Sequence, residues 1–111
     1  MSARLTSAML VNALIRRANL EGGFATVLAR GDDTAGALLI VAQDRGADVR
    51  AYELGIGPEG ETALIPVGPL GDSAALTDYW MKRRRNDPDL WVVELDIPFA
   101  ERFAAETILQ G

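Results

Sequence analysis

Two runs of the chain are apolar at nearly every position, and they constrain the fold more than any other feature of the sequence. The first covers Gly36–Ala42 and the second covers Leu90–Leu95. A strand that is apolar on both sides is typical of the interior of a sheet whose two faces are covered. We therefore expect both runs to be interior strands of one sheet, with helices on at least one face.

Three further strand-like runs lie near the first interior strand. Phe24–Arg30 precedes it, while Asp48–Leu54 and Thr62–Val67 follow it, each after a turn of a few residues. Such short turns favour an antiparallel meander of all four strands. Pro66 has no N–H group to donate, so its strand is expected at an edge of the sheet or to end there.

Three segments have the pattern of helices. Residues 6–20 carry apolar side chains three or four positions apart, and residues 73–85 follow a residue that can cap a helix. A third helix is predicted to open at Pro98, with Phe99 and Phe103 one turn apart. The order helix, four strands, helix, strand, helix predicts an α+β fold, with one mixed, mostly antiparallel five-stranded sheet and three helices.

Chain length and residue types restrict the function. The 111 residues suit a single domain over residues 1–111, because two separate cores would each be too small. The chain has neither cysteine nor histidine, which excludes disulfides, thiolate nucleophiles, zinc-finger sites and serine–histidine triads. We predict no metal and no cofactor, and no catalytic constellation is recognisable.

Charge and hydropathy bear on partners and location. A net charge of −5 argues against nucleic acid and anionic membranes as partners. No stretch approaches the ~20 apolar residues that span a bilayer. The apolar segment Ser7–Ile15 follows Arg4 as in a secretion signal, but Asn12 interrupts it and Arg16 and Arg17 follow it. We therefore expect a cytoplasmic protein.

Two familiar motifs have structural interpretations. Gly55–Gly60 has the letters of the dinucleotide-binding GxGxxG loop, but a strand follows it where that loop requires a helix. Arg30-Gly31-Asp32 spells a cell-adhesion tripeptide, and we interpret it as a hairpin turn. A set of aromatic residues is assigned mostly to the core from its spacing. The set comprises Tyr79, Trp80, Trp91, Phe99 and Phe103.

One group of charged residues suggests a ligand site. Glu94 lies in an otherwise apolar strand, so it must be on a wet face or paired, for example with an arginine. Arg84 and Arg85 end a predicted helix, where the helix dipole stabilises cations. Together with Arg16 and Arg17 they would form an arginine clamp for an anion or a nucleotide around Glu94.

Several segments together resemble a known family. The most specific is Arg84–Glu94, and Ala13–Arg17, Arg30–Asp32, Ala35–Ala37 and the Gly57-Pro58 loop add to it. With these, the chain resembles a group of small alphaproteobacterial proteins of about this length that form a domain of unknown function. The resemblance implies a free-standing bacterial domain and carries no catalytic assignment.

Two hypotheses of different classes follow. The first is a non-enzymatic binding or regulatory module, with a protein or small-molecule partner. It favours a homodimer, because the edges of a sheet must be paired or protected. The alternative is an enzyme or an anion- or nucleotide-binding protein that uses the arginine clamp with its carboxylate.

Overall fold

The helices and strands occur in the predicted order. The computed structural model describes residues 5–56, 58–60 and 62–109. Its elements are α1 (Ser7–Leu20), β1 (Phe24–Ala29), β2 (Leu38–Asp44), β3 (Ala47–Ile56), β4 (Thr62–Val67), α2 (Ser73–Asn86), β5 (Trp91–Asp96) and α3 (Ala100–Leu109). The five strands form one mixed sheet in the order β1-β5-β2-β3-β4. This confirms the predicted α+β fold.

Strand β5 lies between β1 and β2, so the predicted meander of four strands is wrong for β1. Strands β2, β3 and β4 form an antiparallel meander, whereas β5 pairs antiparallel with β1 and parallel with β2. The loop after β1 does not close a hairpin because it is bonded to the start of β5. There the Asp32 N–H donates to the Asp89 carbonyl oxygen at 3.0 Å, and the Trp91 N–H donates to the Ala37 carbonyl oxygen at 2.8 Å.

The two interior strands are β2 and β5, and helices cover both of their faces. On one side, which we call the α1/α3 face, Ile40 packs with Leu14 of α1 and Phe103 of α3. On the other side, the α2 face, Leu39 packs with Leu76 of α2. Consecutive residues of a strand point to opposite faces, so an apolar run is what this arrangement requires.

The third helix begins two residues later than predicted. Phe99 has a φ of 56°, in the left-handed region, so the helix starts at Ala100. Phe103 is buried as predicted, but the side chain of Phe99 is 78% exposed. Phe99 is thus an exception among the aromatic residues that were assigned mostly to the core, because the turn at Pro98 leaves its side chain outside the core.

Candidate functional site

The five residues of the predicted arginine clamp lie on opposite sides of the sheet. Arg16 and Arg17 belong to α1, which covers the α1/α3 face. Arg84 and Arg85 belong to α2, and Glu94 belongs to β5. Because the sheet separates the two arginine pairs, the fold does not bring all five residues into one cleft.

Arg17 joins two helices. Its Nε donates to Glu21 at 2.9 Å, its Nη1 to Thr107 at 3.0 Å and its Nη2 to Glu106 at 3.2 Å. The guanidinium carbon also lies 5.0 Å from the centre of the Phe103 ring. The hydrogen bond to Glu21 is the main reason that the pKa of Arg17 rises above its ordinary value. The charge of Arg17 is thus used in holding α1 against α3.

Arg84 has a comparable structural contact at the end of α2. Its Nη2 donates to the carbonyl oxygen of Arg30 at 2.6 Å, which fixes the loop that follows β1. The Arg30 guanidinium in turn lies 5.2 Å from the centre of the Trp91 ring. Arg85 is exposed, and among the described residues only Arg84 of this pair has a hydrogen bond to another element.

Three of the segments that carry the family resemblance meet at this loop, namely Arg30–Asp32, Ala35–Ala37 and Arg84–Glu94. The Trp91 Nε1–H donates to the Asp32 carbonyl oxygen at 2.7 Å, and the Ser7 hydroxyl donates to the Gly36 carbonyl oxygen at 2.6 Å. A Cβ atom at Gly36 would overlap the Asp89 carbonyl oxygen, so the close approach of these two backbone segments requires glycine at this position. The adhesion-like tripeptide thus lies in a loop that joins α1, α2 and β5.

The GxGxxG-like segment has no helix behind it. Residues 58–60 lead to strand β4, as predicted, which leaves no helix N-terminus to hold a pyrophosphate. Gly57 lies outside the described residues, as does Arg4 at the start of the chain. Within the ranges that the structure covers, no three acidic residues cluster closely enough to hold a metal ion. No helix in those ranges has the length and apolarity to cross a bilayer.

Glu94 lines a cleft of 190 Å³ between α2 and the sheet. The walls are mostly apolar or aromatic, and the polar groups are one carboxylate, one amide and two hydroxyls. The lining residues are Leu28, Val41, Gln43, Val49, Ser73, Leu76, Thr77, Trp80 and Glu94. The sequence predicted that Glu94 lies on a solvent-exposed face or has a charged partner. In the structure Glu94 is half-buried and faces this cleft.

The Glu94 carboxylate has no protein partner in the part of the chain that the structure describes: no hydrogen bond and no ion pair reaches it there. Its neighbours across the sheet are Thr26 on β1 and Val41 on β2, neither of which is charged. The other cleft residues could not be found from sequence, because Leu28, Val49 and Trp80 come from three different elements. Only the isolated carboxylate gave a signal.

The two edges of the sheet form a second candidate site. Strand β4 contains Pro66, which confirms the prediction that this strand lies at an edge. Strand β1, at the other edge, has neither proline nor charge, and Phe24 at its start is 68% exposed. A bulge between Val27 and Ala29 shortens its regular part to Phe24–Val27. Natural sheets use bulges at their edge strands to prevent unwanted pairing, but Phe24–Val27 remains regular and could pair with another strand.

The comparisons with known proteins agree with the resemblance. A family model described as "Protein of unknown function (DUF1491)" matches residues 5–105. A crystal structure of a DUF1491 family protein from Caulobacter crescentus CB15 is 35% identical, covers 89% of this chain and 94% of that chain, and has a TM-score of 0.79. Among curated proteins, none matches this sequence.

Two structures solved in solution are also similar. An NMR structure of a DUF1491 family protein from Caulobacter crescentus CB15 is 38% identical, covers 92% of this chain and 94% of that chain, and has a TM-score of 0.77. A protein from A. tumefaciens is 30% identical, covers 86% and 87% of the two chains, and has a TM-score of 0.68. The predicted family is confirmed, and an alphaproteobacterial origin is consistent with these relatives.

Proposed function

The chain belongs to the DUF1491 family, whose function is unknown, and from the form of its sheet edges we propose that it is a non-enzymatic binding module that works as a homodimer. Strand β1 of one copy pairs with β1 of a second copy, so that two five-stranded sheets become continuous. The observation that carries the proposal is the uncharged, proline-free edge at Phe24–Val27.

The chemistry of β1 suits a second copy of the same strand. An edge strand presents unpaired N–H and C=O groups, which lysine, proline or a covering segment usually protect. Antiparallel pairing of two identical strands has two-fold symmetry and therefore closes as a dimer. Glu21 precedes β1 and Arg30 follows it, so antiparallel pairing brings the acidic end of one strand towards the basic end of the other.

We assign the dimer to the cytoplasm, because a chain without cysteine gains nothing from an oxidising compartment. Its net charge of −5 favours protein or small-molecule partners over nucleic acid. The charged residues of the predicted clamp support the non-enzymatic assignment, since Arg17 and Arg84 hold elements of the fold together.

The test measures the molar mass by light scattering from low to high micromolar protein. The wild-type chain should have twice the mass of one chain, and Phe24→Lys should be monomeric, because a charged edge resists pairing. Thr62→Lys is the matched control: Thr62 is the exposed first residue of the other edge strand, and its variant should remain dimeric. Circular dichroism checks that both variants are folded.

Two results would overturn the proposal. A monomeric wild-type protein at high micromolar concentration would show that β1 does not pair. Equal dissociation of the Phe24→Lys and Thr62→Lys variants would show that the interface, if any, does not depend on β1.

A further inference from the structure

We propose that the cleft between α2 and the sheet binds a small organic cation, with Glu94 as the charged anchor and Trp80 as an aromatic wall. This names a ligand class for the binding module proposed above. It does not need a second copy of the chain, because the cleft is already present in a single copy.

The residues next to Glu94 in the sheet, both across the strands and along β5, are neutral or negatively charged. Across the sheet it faces Thr26 and Val41. Two positions away along β5 are Val92 and Asp96, which share its face of the sheet because strand side chains alternate. A cationic ligand would therefore meet an uncompensated carboxylate.

Among the residues that the structure describes, no lysine and no arginine lines the cleft. The N-terminus of α2 is nearby, but its amides are already bonded, since Asp72 accepts from the N–H groups of Ala74 and Ala75 at 3.0 and 3.1 Å. The Thr77 hydroxyl donates to the Ser73 carbonyl oxygen at 3.0 Å and is likewise used within the helix. The strongest unsatisfied group in the cleft is the Glu94 carboxylate.

A half-buried carboxylate without a partner is unfavourable, and a bound cation would remove that cost through a charge-assisted hydrogen bond. The ring of Trp80 can attract the same cation, because indole is the aromatic group that binds cations best. Leu28, Val41 and Leu76 provide apolar surface for an alkyl chain.

The size of the cleft limits the ligand. Its 190 Å³ is smaller than the ~300–1,000 Å³ of sites for drug-sized molecules. A short alkyl chain that ends in an ammonium or a guanidinium group satisfies the volume, the charge and the apolar walls together. The same group occurs on free amines and on the basic side chains of proteins, so the test must distinguish these two sources.

The test titrates the protein with n-butylguanidinium and n-butylammonium and follows the indole N–H signals by NMR. Trp80 lines the cleft, whereas the Trp91 indole is bonded to Asp32 on the opposite face and serves as an internal reference. We expect a saturable shift of the Trp80 signal only. Neutral n-butanol should give none, because it lacks the charge that Glu94 would pair with. A peptide with one lysine forms the second arm, and tighter binding of the peptide would identify a partner side chain as the source.

Two variants make the test specific. Glu94→Gln should weaken the binding of both cations by about tenfold or more, as expected for loss of a charged hydrogen bond. Asp78→Asn removes the same charge from an exposed position of α2 outside the cleft and should change nothing. Equal binding by Glu94→Gln, an equal response to n-butanol, or no saturable shift would overturn the proposal.

The monomeric Phe24→Lys variant separates this proposal from the homodimer. It should bind the cations with unchanged affinity, because Phe24 does not line the cleft. If the wild-type chain is monomeric and still binds the cations, the monomeric mass refutes the homodimer and the binding leaves the cleft assignment intact. Loss of binding in the monomeric variant would contradict a site built from one chain.

Discussion

The two faces of the sheet are built from the same strands, yet they are closed to different degrees. Among the described residues, the cluster on the α1/α3 face contains fourteen buried side chains and two helices contribute to it. The cluster on the α2 face contains six, and Leu76 is the one buried residue that α2 supplies among them. One helix is too narrow to cover five strands, so this face keeps an open cleft.

The way α2 is attached explains where the cleft lies. Near its C-terminal end, Arg83 donates to Glu53 at 2.7 Å and to the Tyr79 hydroxyl at 3.0 Å. The hydrogen bond to Glu53 is the main cause of a raised pKa for Arg83. At the other end, Ser73 and Thr77 line the cleft. The α1/α3 face is therefore the more completely packed of the two, and the α2 face keeps an open cleft.

The largest expected effect is the loss of a large side chain from the closed face. Leu14→Ala should lower the free energy of unfolding by about 3–4 kcal/mol, because Leu14 is fully buried between helices and sheet and the cavity cannot collapse. Urea denaturation measures this. Met9→Ala on the same helix is the control, since Met9 is half exposed, and its cost should stay within about 0.5 kcal/mol.

The same truncation on the open face should cost less. Leu76→Ala should lower the free energy of unfolding by about 2 kcal/mol, because the space left behind joins the existing cleft and a single helix can shift to fill it. The measurement is again urea denaturation. A cost above that of Leu14→Ala would show instead that the α2 face is the better packed of the two.

The element order of the fold was predictable because its signals are local. The caps of the first two helices lie within a few residues of the groups they bond, as when Thr6 accepts from the Met9 N–H at 3.2 Å. The pairing of β1 with β5 was not predictable, since Phe24 and its partner Asp96 are far apart in sequence. Nothing near Asp32 indicates that the loop binds Asp89 instead of closing a hairpin.

The candidate site was predictable only in part, for the same reason. Glu94 stood out because a carboxylate interrupts an apolar strand. Its expected partners, Arg16 and Arg84, were placed wrongly with respect to each other because sequence does not show which face of a sheet each helix covers. The actual walls of the cleft come from β1, β2, β3, β5 and α2, whose convergence is set by tertiary structure.

A third substitution is expected to stabilise the protein, whereas most substitutions destabilise it. Glu94→Leu should raise the free energy of unfolding by about 1 kcal/mol, because it removes a half-buried, unpartnered carboxylate and adds apolar surface beside Leu28 and Leu76. Thermal denaturation gives the change. If Glu94 instead stabilises the open face, Glu94→Leu will destabilise the protein, and the cleft will lose its assignment as a ligand site.

The smallest effect is expected at Phe99, which borders the closed face without belonging to it. Pro98 followed by a residue with positive φ is typical of a type II turn, a position that favours glycine. Phe99→Gly removes the strain of a left-handed backbone conformation, about 1–2 kcal/mol. It also stabilises the unfolded chain by about 0.4–1 kcal/mol, because glycine increases the conformational entropy of that chain. The net result should be a gain in stability of about 0.5 kcal/mol. Phe99→Ala keeps the strain and should show no gain in thermal denaturation, so equal behaviour of the two variants would mean that the Phe99 ring, and not its backbone, determines the stability of this turn.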